Sequence, residues 1–564
     1  MQNHQDEADT SSTAVLDIWI DNSKVSSTPY TPRSTTNVCS QRPAPILRSR
    51  DAPDPADLYP AHNISVPVDH FQNESRYKPH SSDMFDLRYH FDASHYRTGG
   101  PVIVLNGGET SIEGRLAYLQ KGIVAELAEA TGGIGVILEH RYYGTSFPTP
   151  NLTTENFRFL TTEQAMADQA YFAQHVVFPG MEDMNLTAPG TPYIAYGGSY
   201  AGALVAFLRI QYPDIYWGAI SSSGVTEAIY DFWEYYEAQR KYAPADCVDN
   251  QGKLVNIMDN ILRSGDDSTI DSLKAAFNGT GFTYNDDFAN QFASLFGYWQ
   301  NRNWDPEVND PTFFNYCGNI TSDQDLYNSS PQLASEVPKL IEAGGWGNES
   351  SDLTAPMLNW IGFSIPFFTA SCDTTLDKCY GNHNSSDPKY TDKSVSNYIS
   401  LSWPYQYCTE WGFLQSGSTV PEDMLSLISR LVTIPYNMLV CNYAFNITGP
   451  PDVERVNKYG GFNISYPRLA IVGGEADPWR AASPLATLDV PTRLNDTSTL
   501  SQPLILIEGA VHHWDENGLF PNETTPSLPP APVRNAKTME EQSVQEWMTE
   551  WQQHCKASPG SCNN

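Results

Sequence analysis

Tyr193-Ile194-Ala195-Tyr196-Gly197-Gly198-Ser199-Tyr200-Ala201-Gly202 is the stretch on which the reading of this chain turns. The first four residues read as a short buried strand, residues 201–212 read as a helix stopped by Pro213, and small residues fill the turn between them. A sharp strand-to-helix turn lifts a serine oxygen above the edge of a sheet and tolerates only small neighbours, because the backbone there is crowded. Ser199 would also open the helix, where free N–H groups and the helix dipole favour developing negative charge. The usual pattern is Gly-x-Ser-x-Gly, and its fifth position is Ala201 here. An ordinary glycine-rich turn would produce similar letters, so the weight of the motif depends on the rest of the chain.

Outward from this turn, β-branched or aromatic runs at 84–91, 101–105, 133–138, 192–196, 217–220, 469–472 and 504–507 are bounded by Gly, Pro or polar residues, as buried strands are. Helical spacing follows several of them, at 115–130, 162–176, 201–212 and 539–555. The alternation predicts an α/β fold, a mostly parallel sheet with helices on both faces. It fails between Gly224 and about Tyr466, a stretch with six of the nine cysteines and helix-like pieces at 231–242 and 422–433. The expected organisation is a disordered leader at 1–50, rich in Ser, Thr, Pro and Asp, and a first sheet-forming part at 51–224. A mainly helical cap then follows at 225–465, over the sheet edge where ligands of open α/β sheets bind, and a second sheet-forming part at 466–564.

Serine is a weak nucleophile, so a histidine must take its proton and an acid must orient that histidine. In α/β-hydrolases the three follow in the order Ser, acid, His, each after a sheet strand. Leu469-Ala470-Ile471-Val472 leads into Gly473-Gly474-Glu475-Ala476-Asp477, and Leu504-Ile505-Leu506-Ile507 leads into Glu508-Gly509-Ala510-Val511-His512-His513. Alone, Asp477 before Pro478 reads as a turn residue and His512 as a structural histidine. Arriving in order at strand ends, Ser199, Asp477 and His512 read as a catalytic triad. An oxyanion hole needs two backbone N–H groups, one from the residue after the nucleophile, Tyr200, and one from a loop after an earlier strand. Asn106-Gly107-Gly108-Glu109 suits the second role, with Gly108 as donor, because glycine lets the backbone approach closely. A plain β-turn is its bland alternative.

Composition narrows the partners. With 66 acidic against 33 basic side chains, the net charge of −33 repels nucleic acid and anionic membranes. No run reaches the roughly 18 apolar residues of a membrane span. Thirteen Asn-x-Ser/Thr sequons and nine cysteines suggest a secretory route, although the polar, acidic first residues lack a signal-peptide pattern. The pairs Cys372/Cys379 and Cys555/Cys562 lack the Cys-x-x-Cys spacing of metal or redox sites, so disulfides are expected, with Cys39 left over. No metal or cofactor is called for.

Further motifs complete the picture: Glu139-His140-Arg141-Tyr142-Tyr143-Gly144, Cys408-Thr409-Glu410-Trp411-Gly412, Asp477-Pro478-Trp479 and His512-His513-Trp514-Asp515. With Asn106–Glu109 and the Ser199 turn, they resemble the prolyl carboxypeptidase family of serine peptidases, in the family's order from about residue 100 to 515. The resemblance implies an α/β-hydrolase domain with a helical insertion, peptide or protein substrates, and cleavage after proline at acidic pH. It places the protein outside the cell or in a lysosome or vacuole. It also implies that the first histidine of the pair, His512, is the base, that Trp479 lines the proline pocket, and that Glu109 is an acid near the substrate channel. The family's Gly-Ala-His-His is one residue longer here, which leaves His513 a rival to His512. Exopeptidase or endopeptidase mode and a homodimer stay open. Two other readings compete: a secreted lipase or esterase with the same triad, against which the insertion lacks a long apolar lid, and a non-catalytic binding module, which usually loses a triad member.

Overall fold

Ten strands form where the β-branched and aromatic runs lie: β1 (His62–Pro67), β2 (Met84–Asp92), β3 (Val102–Asn106), β4 (Ile134–Leu138), β5 (Tyr193–Gly198), β6 (Tyr216–Ser222), β7 (Ile229–Asp231), β8 (Gly412–Leu414), β9 (Leu469–Gly474) and β10 (Leu504–Ile507). The computed structural model describes residues 53–563 apart from 371, 489 and 559; the expectations for the leader 1–50 and for Cys39 lie outside the described residues. Eight strands make one sheet in the order β1-β2-β4-β3-β5-β6-β9-β10. β2 runs antiparallel to both β1 and β4, and every other pairing is parallel.

Alternate residues of the central strands feed two cores. Val102, Val104, Val136, Ala195, Ala219 and Ile471 pack toward the face carrying the helices Thr162–His175 and Ser199–Gln211. Ile103, Leu105, Ile137, Ile194, Ile220 and Val472 pack toward Ile123–Thr131 and the long helix Ala531–Ala557, which buries Val533, Val544 and Trp547 there. This double burial explains why the central strands read as continuous apolar runs. The layout is that of an α/β-hydrolase, with the Ser199 turn following the fifth strand of the sheet.

Three sequence expectations change. The helix expected at 115–130 is broken into Ile112–Arg115, Ala117–Gln120 and Ile123–Thr131. A side chain at Gly122 would meet the Glu516 carbonyl oxygen at 2.7 Å, so the chain kinks where only glycine passes. β1 escaped notice because it is an edge strand, half exposed and polar at alternate positions, ending in Pro67. The segment 422–433 is irregular rather than helical. Its backbone is held by side chains: Asp259 accepts from the Arg430 N–H at 2.7 Å, and the Arg430 guanidinium donates to the carbonyls of Val420 (2.6 Å), Pro421 (2.9 Å) and Met424 (2.9 Å).

Between β6 and β9 most elements are helices. Cys247–Cys317 ties the helices Ala245–Leu262 and Thr312–Ile320, and Cys408–Cys441 ties a second pair of segments. Cys372–Cys379 and Cys555–Cys562 are the two close pairs seen in the sequence. By loop-closure entropy, the Cys247–Cys317 bridge stabilises by about 4 kcal/mol. Among the described residues, no helix is long and apolar enough to cross a membrane.

Candidate active site

Ser199 sits at the turn from β5 into its helix with φ +57°, a left-handed conformation costly for a residue with a Cβ. Its neighbours explain the need for small residues. A Cβ on Gly197 would lie 2.3 Å from the Ala201 carbonyl oxygen, and one on Gly198 would lie 2.3 Å from Glu516 Oε1. The departure at Ala201 is tolerated because its methyl faces Gly108, where even an added Cβ would stand 3.5 Å away.

The loops after β9 and β10 bring Asp477 and His512 to this serine. His512 Nε2 lies 2.9 Å from Ser199 Oγ, and His512 Nδ1 lies 2.9 and 3.1 Å from the two Asp477 oxygens. All three residues are buried. Asp477 also accepts the Trp479 N–H at 2.9 Å, and Ser223 donates to it. Burial opposes its charge, but His512 and these donors prevail and hold its pKa below the usual carboxylate value. His512 shifts down from 6.5: burial lowers it more than the Asp477 charge raises it, and the charge of His513 adds to the lowering.

His513 is differently placed. Its Nδ1 is 3.3 Å from Glu516 Oε2, and Arg115 Nη1 is 3.7 Å from the same oxygen. Although burial lowers the His513 pKa, Glu516 outweighs it and the net shift is upward. Glu516 is itself depressed to about 2, because His513 and Arg115 outweigh its burial. Of the two histidines the sequence left open, His512 faces the serine and His513 faces an acid.

The expected oxyanion loop lies alongside. Tyr200 N–H is in the first turn of its helix, where no intrahelical carbonyl reaches it. Its side chain is anchored: His140 Nδ1 donates to the Arg141 carbonyl at 2.7 Å, so Nε2 accepts the Tyr200 hydroxyl at 2.9 Å. Gly108 N–H donates to Asn106 Oδ1 at 2.8 Å in this state. Glu109 is buried, not a surface ion-pair residue; burial raises its pKa against the opposing fields of Arg115 and His513.

Trp479 is buried 6.3 Å, ring to ring, from His512. Phe232, Tyr235 and Phe413 stand around it at 5.3, 5.1 and 5.3 Å, and its Nε1 donates to Gln300 Oε1 at 2.6 Å. Sequence reasoning missed Ser223, Gln300 and Arg115, which reach the site from segments with no local motif, and Glu516, which directly follows the 512–515 motif; it expected aromatic residues around Trp479 without identifying them. The motif at Glu139–Gly144 is structural: Arg141 forks onto Asp168 at 2.6 and 2.7 Å, and a Cβ on Gly144 would strike the Glu139 carboxylate.

A second acid pair supports the same loop from below. Asp515 accepts from Tyr196 at 2.5 Å and from Ser222 at 2.6 Å. Glu540, fully buried on the long C-terminal helix, has no donor to either oxygen yet lies in hydrogen-bonding reach of Asp515. Two carboxyls so close cannot both ionise, so Glu540 keeps its proton and donates it; burial, then the Asp515 charge, hold its pKa well above 4.5. A raised folded pKa gives stability that is complete below the unfolded value, near 4.5, and lost as pH rises through the folded value. Glu540→Gln keeps a donor without a proton to lose. Its melting temperature should therefore fall less from acid to neutral pH than that of the wild type; parallel curves by calorimetry would exclude this role.

Comparison with known proteins identifies the family. The family model described as "Serine carboxypeptidase S28" matches residues 67–319 and 364–528. A "Probable extracellular serine carboxypeptidase" of Arthroderma benhamiae is 50% identical over 525 residues, 92% of this chain and 72% of the relative. "Serine protease vicPa" of Bipolaris victoriae is 27% identical over 76% of this chain and 80% of its own. The "Thymus-specific serine protease" of Mus musculus is 25% identical over 86% and 87%. The chain therefore belongs to the serine carboxypeptidase S28 family and is a serine-type peptidase of α/β-hydrolase fold.

Proposed function

We propose that the protein cleaves peptide bonds after proline in mildly acidic surroundings, through an acyl-enzyme on Ser199. His512 Nε2 takes the Ser199 proton as Oγ attacks the scissile carbonyl, and Asp477 keeps His512 Nδ1 protonated and aimed. The tetrahedral oxyanion is met by the N–H groups of Tyr200 and Gly108, the latter exchanging Asn106 Oδ1 for the substrate oxygen. His512 then gives its proton to the leaving amine, and water releases the acyl group by the same steps in reverse. Residues 51–224 and 466–564 form the catalytic body, and 225–465 the cap that excludes bulk water. Glu109 borders the substrate channel beside the oxyanion loop. The extracellular description of the Arthroderma relative supports export; an acidic lysosome or vacuole suits the same chemistry.

The observation that carries the proline reading is the aromatic surround of Trp479 beside His512. Flat rings on several sides suit a rigid, apolar pyrrolidine ring. A panel of N-blocked amides differing at P1 should therefore rank proline first, with alanine roughly 10- to 200-fold lower in kcat/KM. The acidic limb of that kcat/KM profile reports the free His512, whose pKa is lowered, so it should fall below the ordinary 6.5. Equal rates for proline and alanine, or a limb at or above 6.5, would remove this specificity while leaving a serine peptidase. Faster turnover of an acyl ester than of any prolyl amide would favour the esterase reading.

A further inference from the structure

The cap encloses a cavity of about 120 Å³ that the triad chemistry does not use. Its near wall includes Trp403 and Phe413. Trp403 packs on Tyr200 at 5.4 Å, ring to ring, and Phe413 packs on Trp479 at 5.3 Å. The cavity thus borders the aromatic layer that backs Ser199 and the proposed proline site. One or two rings of about 5 Å each correspond to roughly one to three residues of extended peptide.

The far wall is polar in an unusual way. Lys389 is buried, 8% exposed, and donates to two neutral acceptors, the Gly381 carbonyl at 2.8 Å and Asn382 Oδ1 at 2.9 Å. An ammonium has three protons to donate, so one has no hydrogen-bond acceptor among the described residues, while the ammonium lies 5.1 Å from the centre of the Tyr390 ring. Among the described residues Lys389 makes no direct ion pair. Asp387 and Asp287 act on it only through their fields, and Asp287 reaches it through Asn382, whose N–H it accepts at 2.9 Å. Burial outweighs both fields, leaving the Lys389 pKa below its ordinary value. The same cavity is lined by Asn290, 2% exposed, whose amide oxygen has no donor among the described residues. An amide can turn either its oxygen or its NH₂ to a neighbour.

A buried cation without a counter-ion and an unpaired amide in one cavity, in a chain of net charge −33, is a costly arrangement unless an anion completes it. We propose that this cavity is a carboxylate-recognising subsite, in which Lys389 and Asn290 hold a carboxylate carried by the peptide substrate. The planar group would take the free Lys389 proton and an NH₂ proton of Asn290, while its stem lies against Phe413 and Trp403. The carboxylate is either the peptide's own C-terminus or an Asp or Glu side chain near the cleaved bond. The inference rests on Ser199 as the nucleophile but not on proline selectivity.

The test uses the full chain and two substrate pairs with the same P1 residue. One pair compares a free C-terminal carboxylate with its amide; the other, with amidated ends, compares Glu with Gln at a position roughly one to three residues from the bond. The wild type should prefer the carboxylate in one pair by roughly tenfold or more in kcat/KM, mainly through KM, as a buried charge-assisted bond implies. The pair that responds identifies the source. Lys389→Met should bring that preference to about twofold or less, with fluorophosphonate labelling of Ser199 and turnover of the neutral partner unchanged. Because Lys389 also holds the 381–389 segment, Asn290→Asp is the second variant: a negative wall should reverse the preference. Equal rates within both pairs for the wild type, or a preference that survives both substitutions, would overturn the proposal. Loss of selectivity on the P1 panel with the carboxylate preference intact would instead count against proline specificity alone.

Discussion

Ser199→Ala should give a folded protein whose turnover of any peptide or ester is lower by on the order of 10³ or more. The hydroxyl makes one hydrogen bond, to His512 Nε2, and otherwise occupies little space, so its loss leaves packing nearly unchanged. The strained φ of +57° is carried by the Cβ, which alanine keeps, so the turn itself should survive. What disappears is the hydroxyl aligned with His512 Nε2, the group proposed to attack. The residual rate would come from the oxyanion donors and from substrate positioning, which still act on a water molecule. Matching melting curves, together with complete loss of fluorophosphonate labelling, separate this outcome from misfolding. Near-normal turnover by the alanine variant would sink the mechanism.

Nearly as large an effect is expected from His512→Ala, and a much smaller one from His513→Ala. A general base must be neutral and within reach of the proton it takes. His512 meets both conditions: it lies 2.9 Å from Ser199 Oγ, and its pKa is lowered. His513 is placed otherwise, since Glu516 raises its pKa, which favours the protonated form, and draws Nδ1 to 3.3 Å. A protonated ring cannot accept a proton, so a smaller contribution, through position and polarisation, is expected of it. Kinetics of both variants on one substrate decide the matter: if His513→Ala were the more damaging, the base would be His513.

How far the sequence carried depends on whether each feature was written in neighbouring residues. The convergence of Ser199, Asp477 and His512 was legible because each follows a short apolar strand by a few positions, so the topology places them together once a parallel sheet is assumed. The central strands were legible because burial on both faces leaves an unbroken apolar run. β1 was not, since an edge strand with one wet face needs no such run. The segment 422–433 has helical spacing, but Asp259 and Arg430 satisfy its polar groups from outside, an outcome that local periodicity does not encode. The choice between His512 and His513 required knowing that Glu516, three residues beyond His513, folds back to claim it. The surround of Trp479 and the Lys389 cavity come from cap segments far apart in the chain, and neither left a motif.

The pairing of β6 with β9 joins Ala219 to Leu469, so the sheet cannot close until the whole cap has been threaded between them. Closing a loop of about 250 residues is slow more than it is destabilising, because its entropy grows only as the logarithm of length. During synthesis the first part of the sheet would thus wait with β6 as an exposed, apolar edge, a surface that invites pairing with another chain. Cap helices tied early by Cys247–Cys317 shorten the effective loop, and oxidative conditions during folding should raise the yield of active enzyme rather than the activity of each molecule. A chain interrupted before β9 would contain Ser199 but neither Asp477 nor His512, so under the proposed mechanism an incomplete product is inert.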